Sequence, residues 1–235
     1  MRSRYATRRD VHVAVGAQVH MFCDRPHGAL PQGTRRALWD ALMDCASDAD
    51  LPEVQALAGV LAAAFDTHGT DQLPLAGLGA AETRRLLARW FPGADAVLAL
   101  DWRTLSRPER IDARQDEIED LVDLLTEPAP PSTARREETR WLARALGQAS
   151  LGQDHLWQDL HLPSRGELSA LMVGWFPSIA SRNDRDMKWK KFLYKQLCDR
   201  AQLSICRAPS CGVCSDYARC YGPEDAATAS RPPGR

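Results

Sequence analysis

This sequence lacks a long hydrophobic run. Its longest apolar stretch, Ala56 to Phe65, falls well short of the roughly 20 residues a bilayer-spanning helix needs. It also lacks a charge excess. Thirty Lys and Arg stand against thirty-one Asp and Glu, a formal net charge of −1. That balance gives no global reason to expect binding to nucleic acid or to a membrane surface. No Ser/His/Asp nucleophile setting and no phosphate-cradling glycine loop stands out, so hydrolase and nucleotide-binding readings have no support. The basic start, MRSRYATRRD, is followed by no secretory apolar core or cleavage site. The expected compartment is therefore the reducing cytoplasm, where disulfides are disfavoured and clustered thiols point to metal or redox chemistry. Cysteine itself is scarce, with seven in 235 residues. Four of those seven, Cys206, Cys211, Cys214 and Cys220, crowd into one short run near the C-terminus.

What is present is mostly helical patterning, and the expected fold is mainly α. A chain that is 44% hydrophobic can bury a sizeable core without metal. Residues 1–34 read as a flexible N-terminal segment, although 11–22 alternate weakly enough to form a strand. Residues 35–125 read as one helical module. Within it, TRRALWDALMDCAS places Leu38, Leu42 and Cys45 on one face. PEVQALAGVLAAAFD begins with Pro52 in a first-turn position and stops before Gly69. A helix is expected over about 80–91. Another is expected from Ser106, where Ser-x-x-Glu with Glu109 makes a capping box, carrying Ile118, Leu121, Val122 and Leu125 on its buried face. A proline-rich linker at 126–134 precedes a second module over 135–205. Its helices are expected at about 134–149, from a Ser164–Glu167 cap to Phe176, and at about 185–200. Residues 206–222 then form a cysteine-rich loop, and 223–235 a disordered tail with almost nothing to bury.

The two modules share a pattern. Shifting the chain by 85 superposes Leu57, Leu61, Leu75, Glu82, Leu86, Trp90, Phe91 and Pro92 on Leu142, Leu146, Leu160, Glu167, Leu171, Trp175, Phe176 and Pro177. Leucine matches arise by chance among amphipathic helices, but the consecutive Trp-Phe-Pro is harder to dismiss. The expectation is a helical bundle built from two related modules.

The helix before the cysteines, DMKWKKFLYKQLC, gathers Trp189, Phe192, Leu193, Gln196 and Leu197 on one side. Lys188, Lys191 and Lys195 gather on the other. Between Arg182 and Arg200 seven basic residues face three acidic ones. A charge run of this kind is usually a solvated face. Beside a set of thiolates it would also offset negative charge and attract an oxyanion or an acidic partner.

The cysteine run admits several chemistries. The Cys211–Cys214 dithiol resembles a redox motif, but no strand precedes it and two further cysteines flank it. Zinc accepts a Cys-x2-Cys half-site, yet a second short-spaced pair is missing. The first three cysteines have the Cys-x4-Cys-x2-Cys spacing of plant-type ferredoxins. Pro209 keeps the first span out of helix and Gly212 lets amides turn toward sulfur. Spacing alone leaves zinc and iron–sulfur both open.

The four-cysteine pattern, together with NDRDMKWKKFLYKQLC, HLWQDLHLPSRGELSALM and WFP, resembles the nitrogen-fixation protein family NifQ. The likeness is strong from His155 to Gly222 and looser upstream, where WFPGAD (90–95) still fits. Tyr221 stands where the pattern leads one to expect Phe. The resemblance implies a molybdenum–iron–sulfur cluster held by Cys206, Cys211, Cys214 and Cys220. It implies a metal carrier and donor, not an enzyme, that supplies molybdenum for the iron–molybdenum cofactor of nitrogenase. The implied partners are the nitrogenase reductase (NifH), the NifE/NifN scaffold and molybdate or another molybdenum source. The carrier is expected to be a monomer, with no nucleic-acid or membrane partner. The lysine face would dock a partner or attract molybdate. Two other readings compete: a zinc-stabilised helical interaction or regulatory module, and an iron–sulfur redox protein.

Other candidates read as structural. Cys198 is a helix-end cysteine near the site, and Cys23 and Cys45 are incidental or packed. His155 and Asp159, four apart, would suit a metal but more often serve caps or surfaces. His161, near a helix start, is read the same way. The seven tryptophans are expected in the core.

Overall fold

The structure is a computed structural model, and it describes residues 35–105, 114–127, 133–203 and 217–224. Among these residues all regular structure is helical, in twelve helices and no strand. The expected N-terminal strand, the Ser106 cap, Cys23 and the C-terminal tail lie outside the described residues.

The first half starts with α1 (Arg35–Asp44) packed against α2 (Pro52–His68). Pro52 occupies the first turn of α2, where its missing N–H costs nothing. Gly69 closes α2 at φ 84, a conformation that residues with a Cβ resist. α2 is lined with small residues, and the reason appears at Gly59. A Cβ there would stand 2.5 Å from the Leu160 carbonyl oxygen and 2.7 Å from the His161 Cβ. Only glycine lets that distant loop lie on the helix. α3 (Ala80–Trp90) and two short helices, α4 (Ala94–Val97) and α5 (Trp102–Leu105), complete this half.

The second half opens on a similar helix pair. α6 (Gln115–Thr126) packs against α7 (Thr133–Ser150), and α2 packs against α7. The helix expected to run from Ser106 is not continuous through Arg114, which at φ −115 and ψ 25 is the N-cap of α6. Its guanidinium holds the Glu117 carboxylate at 2.7 and 2.8 Å, and Asp116 and Glu117 favour a helix start. α8 (Leu156–Asp159), α9 (Arg165–Trp175) and α10 (Pro177–Ala180) follow, then α11 (Trp189–Arg200) and α12 (Tyr217–Tyr221).

Correspondences between the halves extend beyond the sequence pattern. Helices α3 and α9 have bounds offset by 85, and the Phe after each adopts nearly the same backbone: φ −135, ψ 62 at Phe91 and φ −128, ψ 53 at Phe176. At the α1/α6 pair the offset is 80. Leu38, Ala41 and Leu42 are buried on α1 and Cys45 just after it, and Ile118, Leu121, Val122 and Leu125 on α6. Trp90 and Trp175 meet edge to face, with ring centroids 6.0 Å apart. Such a pair adds about 0.5–1.5 kcal/mol beyond its burial. On the outside, Arg85–Glu137, Arg89–Glu138 and Arg140–Glu82 tie α3 to α7. These pairs are partly exposed and set orientation more than stability.

One buried cation sits inside the second half. Arg144 on α7 is 3% exposed. It donates to the Ala76 carbonyl at 2.9 Å and to both Glu119 oxygens at 2.9 Å. Gly77, at φ 69, leaves room for the guanidinium, since a Cβ there would meet it at 2.3 Å. Gln148, one turn on, takes the Ala76 amide and donates to the Pro74 carbonyl. These contacts lock the 74–77 loop against α7.

No helix among the described residues is long and apolar enough to cross a membrane.

Candidate metal centre

Of the four expected ligands, Cys206, Cys211 and Cys214 lie outside the described residues. Cys220 lies within them, and its surroundings can be built residue by residue. The segment before α11 is the seat. Asn183 brackets Met187, accepting from its amide at 2.8 Å and donating to its carbonyl at 2.9 Å. Arg165 reaches across to the Asp186 carbonyl at 2.9 Å, the Asp186 carboxylate at 2.8 Å and the Met187 carbonyl at 3.1 Å. These bonds hold Asp186 at φ 54, a conformation a non-glycine residue rarely adopts unaided. Met187, Trp189 and Phe192 are buried. The Trp189 indole N–H donates to Ser169 Oγ at 3.0 Å and its ring meets Phe192 edge to face. Trp189 and Phe192 thus anchor α11 to the core, and the tryptophan is fastened to α9.

On this seat rests α12. The Lys188 amide, at the N-cap of α11, donates to the Cys220 carbonyl at 2.8 Å. Cys220 and Tyr221 are partly buried and pack against the core. The Arg185 guanidinium lies 5.3 Å over the Tyr221 ring, and Tyr217 stacks on Tyr221 with centroids 4.5 Å apart. Just beyond, Glu224 brings a carboxylate to 3.8 Å from His155 Nδ1. The last cysteine is therefore on a docked helical turn, not in a loop as its sequence context led one to expect. The cause is local: two tyrosines four apart and a backbone bond to Lys188 supply the partners that a five-residue helix lacks by itself. The Tyr221 position keeps an aromatic because the ring is sandwiched in this way.

Residues 204–216 connect the end of α11 to α12, which sits at the start of α11. The two ends are separated by about one helix length, roughly 18 Å for twelve residues. Cys198, near the far end of α11, is about ten residues and hence about 15 Å of helix rise from the Lys188 level. A single zinc needs Zn–S bonds of about 2.3 Å, so Cys198 and Cys220 cannot share one. Both thiols are free and partly exposed.

The remaining candidates separate. His155 and Asp159 do not converge on a site: His155 faces Glu224, and Asp159 pairs with Lys190, which also donates to the Gly152 carbonyl at 3.0 Å. His161 lies apart, against Gly59. The lysine face is partly used internally. Lys195 pairs with Asp199 at 2.5 Å, and Lys188 Nζ lies 3.4 Å from the Ala218 carbonyl. Lys191 is exposed and has no ion-pair partner among the described residues. Also among the described residues, no three His, Cys, Asp or Glu side chains gather as a metal site. Arg185, Asn183 and Arg165 order the surroundings of the Lys188–Cys220 bond. Sequence reasoning did not single them out, although the NDRDMKWKKF stretch that holds two of them stood out as a block.

On the chemistry of the donor set, the fit to a metal–sulfur centre is good at the one position described. Cys220 offers a partly exposed thiol, a soft donor of the kind metal–sulfur centres use, on a backbone tied to the Lys188 amide. α11 itself is braced from below, because the Tyr194 hydroxyl donates to Glu117 on α6. Burial, then that bond, push the Tyr194 pKa well above the usual tyrosine range.

A family model described as NifQ matches residues 56–222. Protein NifQ of Rhodobacter capsulatus is 40% identical over 148 residues, covering 63% of this chain and 76% of that protein. Protein NifQ of Azotobacter vinelandii is 42% identical over 121 residues, covering 50% and 59% respectively. Protein NifQ of Klebsiella pneumoniae is 36% identical over 156 residues, covering 56% of this chain and 87% of that protein. No solved structure matches.

Proposed function

The chain belongs to the NifQ family, and from that premise we propose that it carries molybdenum in a cysteine-held molybdenum–iron–sulfur cluster. It would donate that molybdenum to the biosynthesis of the nitrogenase iron–molybdenum cofactor. The ligands in this reading are Cys206, Cys211, Cys214 and Cys220. The observation that carries it is the seat under Cys220. The Lys188 amide bonds the carbonyl of one expected ligand, Asn183 and Arg165 order the Asp186–Met187 segment that leads into Lys188, and Arg185 covers the neighbouring Tyr221 ring.

The chemistry suits a carrier. Thiolates are soft donors that hold iron–sulfur assemblies, and a sulfur face accepts molybdenum. Cargo must also leave, so a partly exposed ligand near the surface is an asset. The protein turns over no organic substrate in this reading, acts in the cytoplasm, and meets NifH and the NifE/NifN scaffold as partners. Lys191 is the strongest docking candidate on its helix, since Lys188 and Lys195 are engaged within the chain. Lys191→Glu should reduce molybdenum transfer while iron content stays constant; transfer unchanged from the wild type would remove the lysine from this role. The correspondences between the halves, down to the Phe91 and Phe176 backbone, support a body made of two related helical modules.

The test is the iron, molybdenum and zinc content of anaerobically purified protein, wild type and Cys211→Ala. A brown protein with iron and molybdenum, both lost in the variant, is expected. A colourless protein with one zinc would instead favour the zinc-stabilised interaction module.

A further inference from the structure

The two halves differ at one matched place, and a cleft lies beside it. In the second half, Arg144 from α7 fills the space between Glu119 of α6 and the 74–77 loop. The positions that correspond in the first half, by the offsets of 85 and 80, are Gly59, Trp39 and the 159–162 loop. Gly59 brings no side chain, and Trp39 brings no carboxylate. The 160–161 backbone closes onto Gly59, and beside it, at Trp39, lies a cleft of about 570 Å³ lined by Arg35, Arg36, Trp39, Gln55, His161 and Pro163.

Its lining has one sign. Two guanidiniums and an imidazole face it, and no carboxylate lines it. Arg36 is held by Asp40 at 2.9 Å and lies 5.0 Å over the Trp39 ring. Arg35 has no such carboxylate among the described residues. Its Nε and the Trp39 Nε1 are both buried donors without an acceptor, an arrangement that costs free energy until an acceptor arrives. Loss of water around the ring, and then the Arg35 charge, lower the His161 pKa from its usual 6.5, with Asp159 opposing. Nor does the N-terminal segment complement this charge, since its 34 residues hold five arginines against two aspartates.

We propose that this cleft binds a tetrahedral oxyanion, either free or as the phosphoryl group of a larger molecule, between Arg35 and His161. Planar guanidinium donors suit such oxygens. The volume lies within the range of about 300–1,000 Å³ typical of small-molecule sites, so both sources fit. The site is separate from the cysteines and does not rest on the cluster they are proposed to hold.

Calorimetric titration of the full chain with sodium molybdate, phosphate, sulfate and AMP tests it. Saturable one-to-one binding of at least one of these is expected. Binding of inorganic anions alone identifies a free-ion site, and preference for AMP identifies a phosphoryl ligand. The affinity should fall at least tenfold in Arg35→Gln and in His161→Asn, a residue that tolerates the positive φ of 58 at that position. Melting temperatures of both variants establish that they fold. No saturable binding by any of the four, or binding unaltered in both folded variants, overturns the proposal. Iron content is not a readout here, so failure of this site leaves the carrier reading standing.

Discussion

Cys220 and Cys198 are both partly exposed free thiols, but only Cys220 is seated beside the start of α11. Cys220→Ser should therefore abolish iron binding, and Cys198→Ala should leave it at the wild-type level; metal analysis of the two purified variants checks this. Iron lost from the Cys198 variant and kept in the Cys220 variant would place the centre at the other end of α11, and equal loss in both would contradict this placement. Gly59 is a second residue with a sharp requirement. Gly59→Ala forces a Cβ to within 2.5 Å of the Leu160 carbonyl oxygen. Backbone shifts of that kind cost about 1–3 kcal/mol, which urea unfolding would register as a lower midpoint. The glycine's role was invisible in sequence, because the loop it touches lies about a hundred residues away. The same holds for Arg144, which in sequence is one arginine among many and in the fold is a buried clamp.

Helices that span several turns and carry a clear apolar stripe were legible from the sequence. α1, α2, α3 and α9 follow the expected bounds closely, because their caps and stops are local: Pro52, Gly69 and Ser164. Ser164 Oγ accepts from the Glu167 amide at 3.3 Å, so Ser164→Ala should cost about 1 kcal/mol and lower Tm by about 2–4 °C. A thermal melt checks this. Short elements were not legible. α4, α5, α8, α10 and α12 have four or five residues, too few for a periodic pattern, and they form only because the chain around them is packed. α12 shows why. Its tyrosine stack and the Lys188–Cys220 bond are tertiary and semi-local contacts, whereas the sequence around it offers glycine, proline and cysteine, which read as loop. The apolar face of α6 was evident, but the boundary at Arg114, where its guanidinium pairs with Glu117, was not.

Three described groups spread across the molecule shift in the same direction on the acid side. Hydrogen bonds from Thr104 and Arg103 lower the Asp101 pKa, the Arg114 hydrogen bond lowers that of Glu117, and partial burial lowers that of His161. In each case the unfolded chain binds protons more readily than the folded one. Stability is then present above the unfolded values of 3.8, 4.5 and 6.5 and falls as pH drops through them. Urea midpoints should decrease steadily from pH 7.5 to pH 4, with the His161→Asn variant losing less between pH 7 and pH 5.5. A midpoint that rises on acidification would contradict this. The helical body has its own continuous apolar core, and Cys220, the one described residue of the proposed centre, packs against it. A metal-free chain should accordingly remain folded, which makes the centre open to direct interrogation.

Molybdenum K-edge X-ray absorption of the anaerobically purified protein, after gel filtration into molybdate-free buffer, addresses the carrier reading most directly. Sulfur neighbours with an iron shell behind them are expected around molybdenum, and both should vanish when all four cysteines are replaced. A molybdenum surrounded only by oxygen, with no iron nearby, would contradict a cysteine-held molybdenum–iron–sulfur cluster.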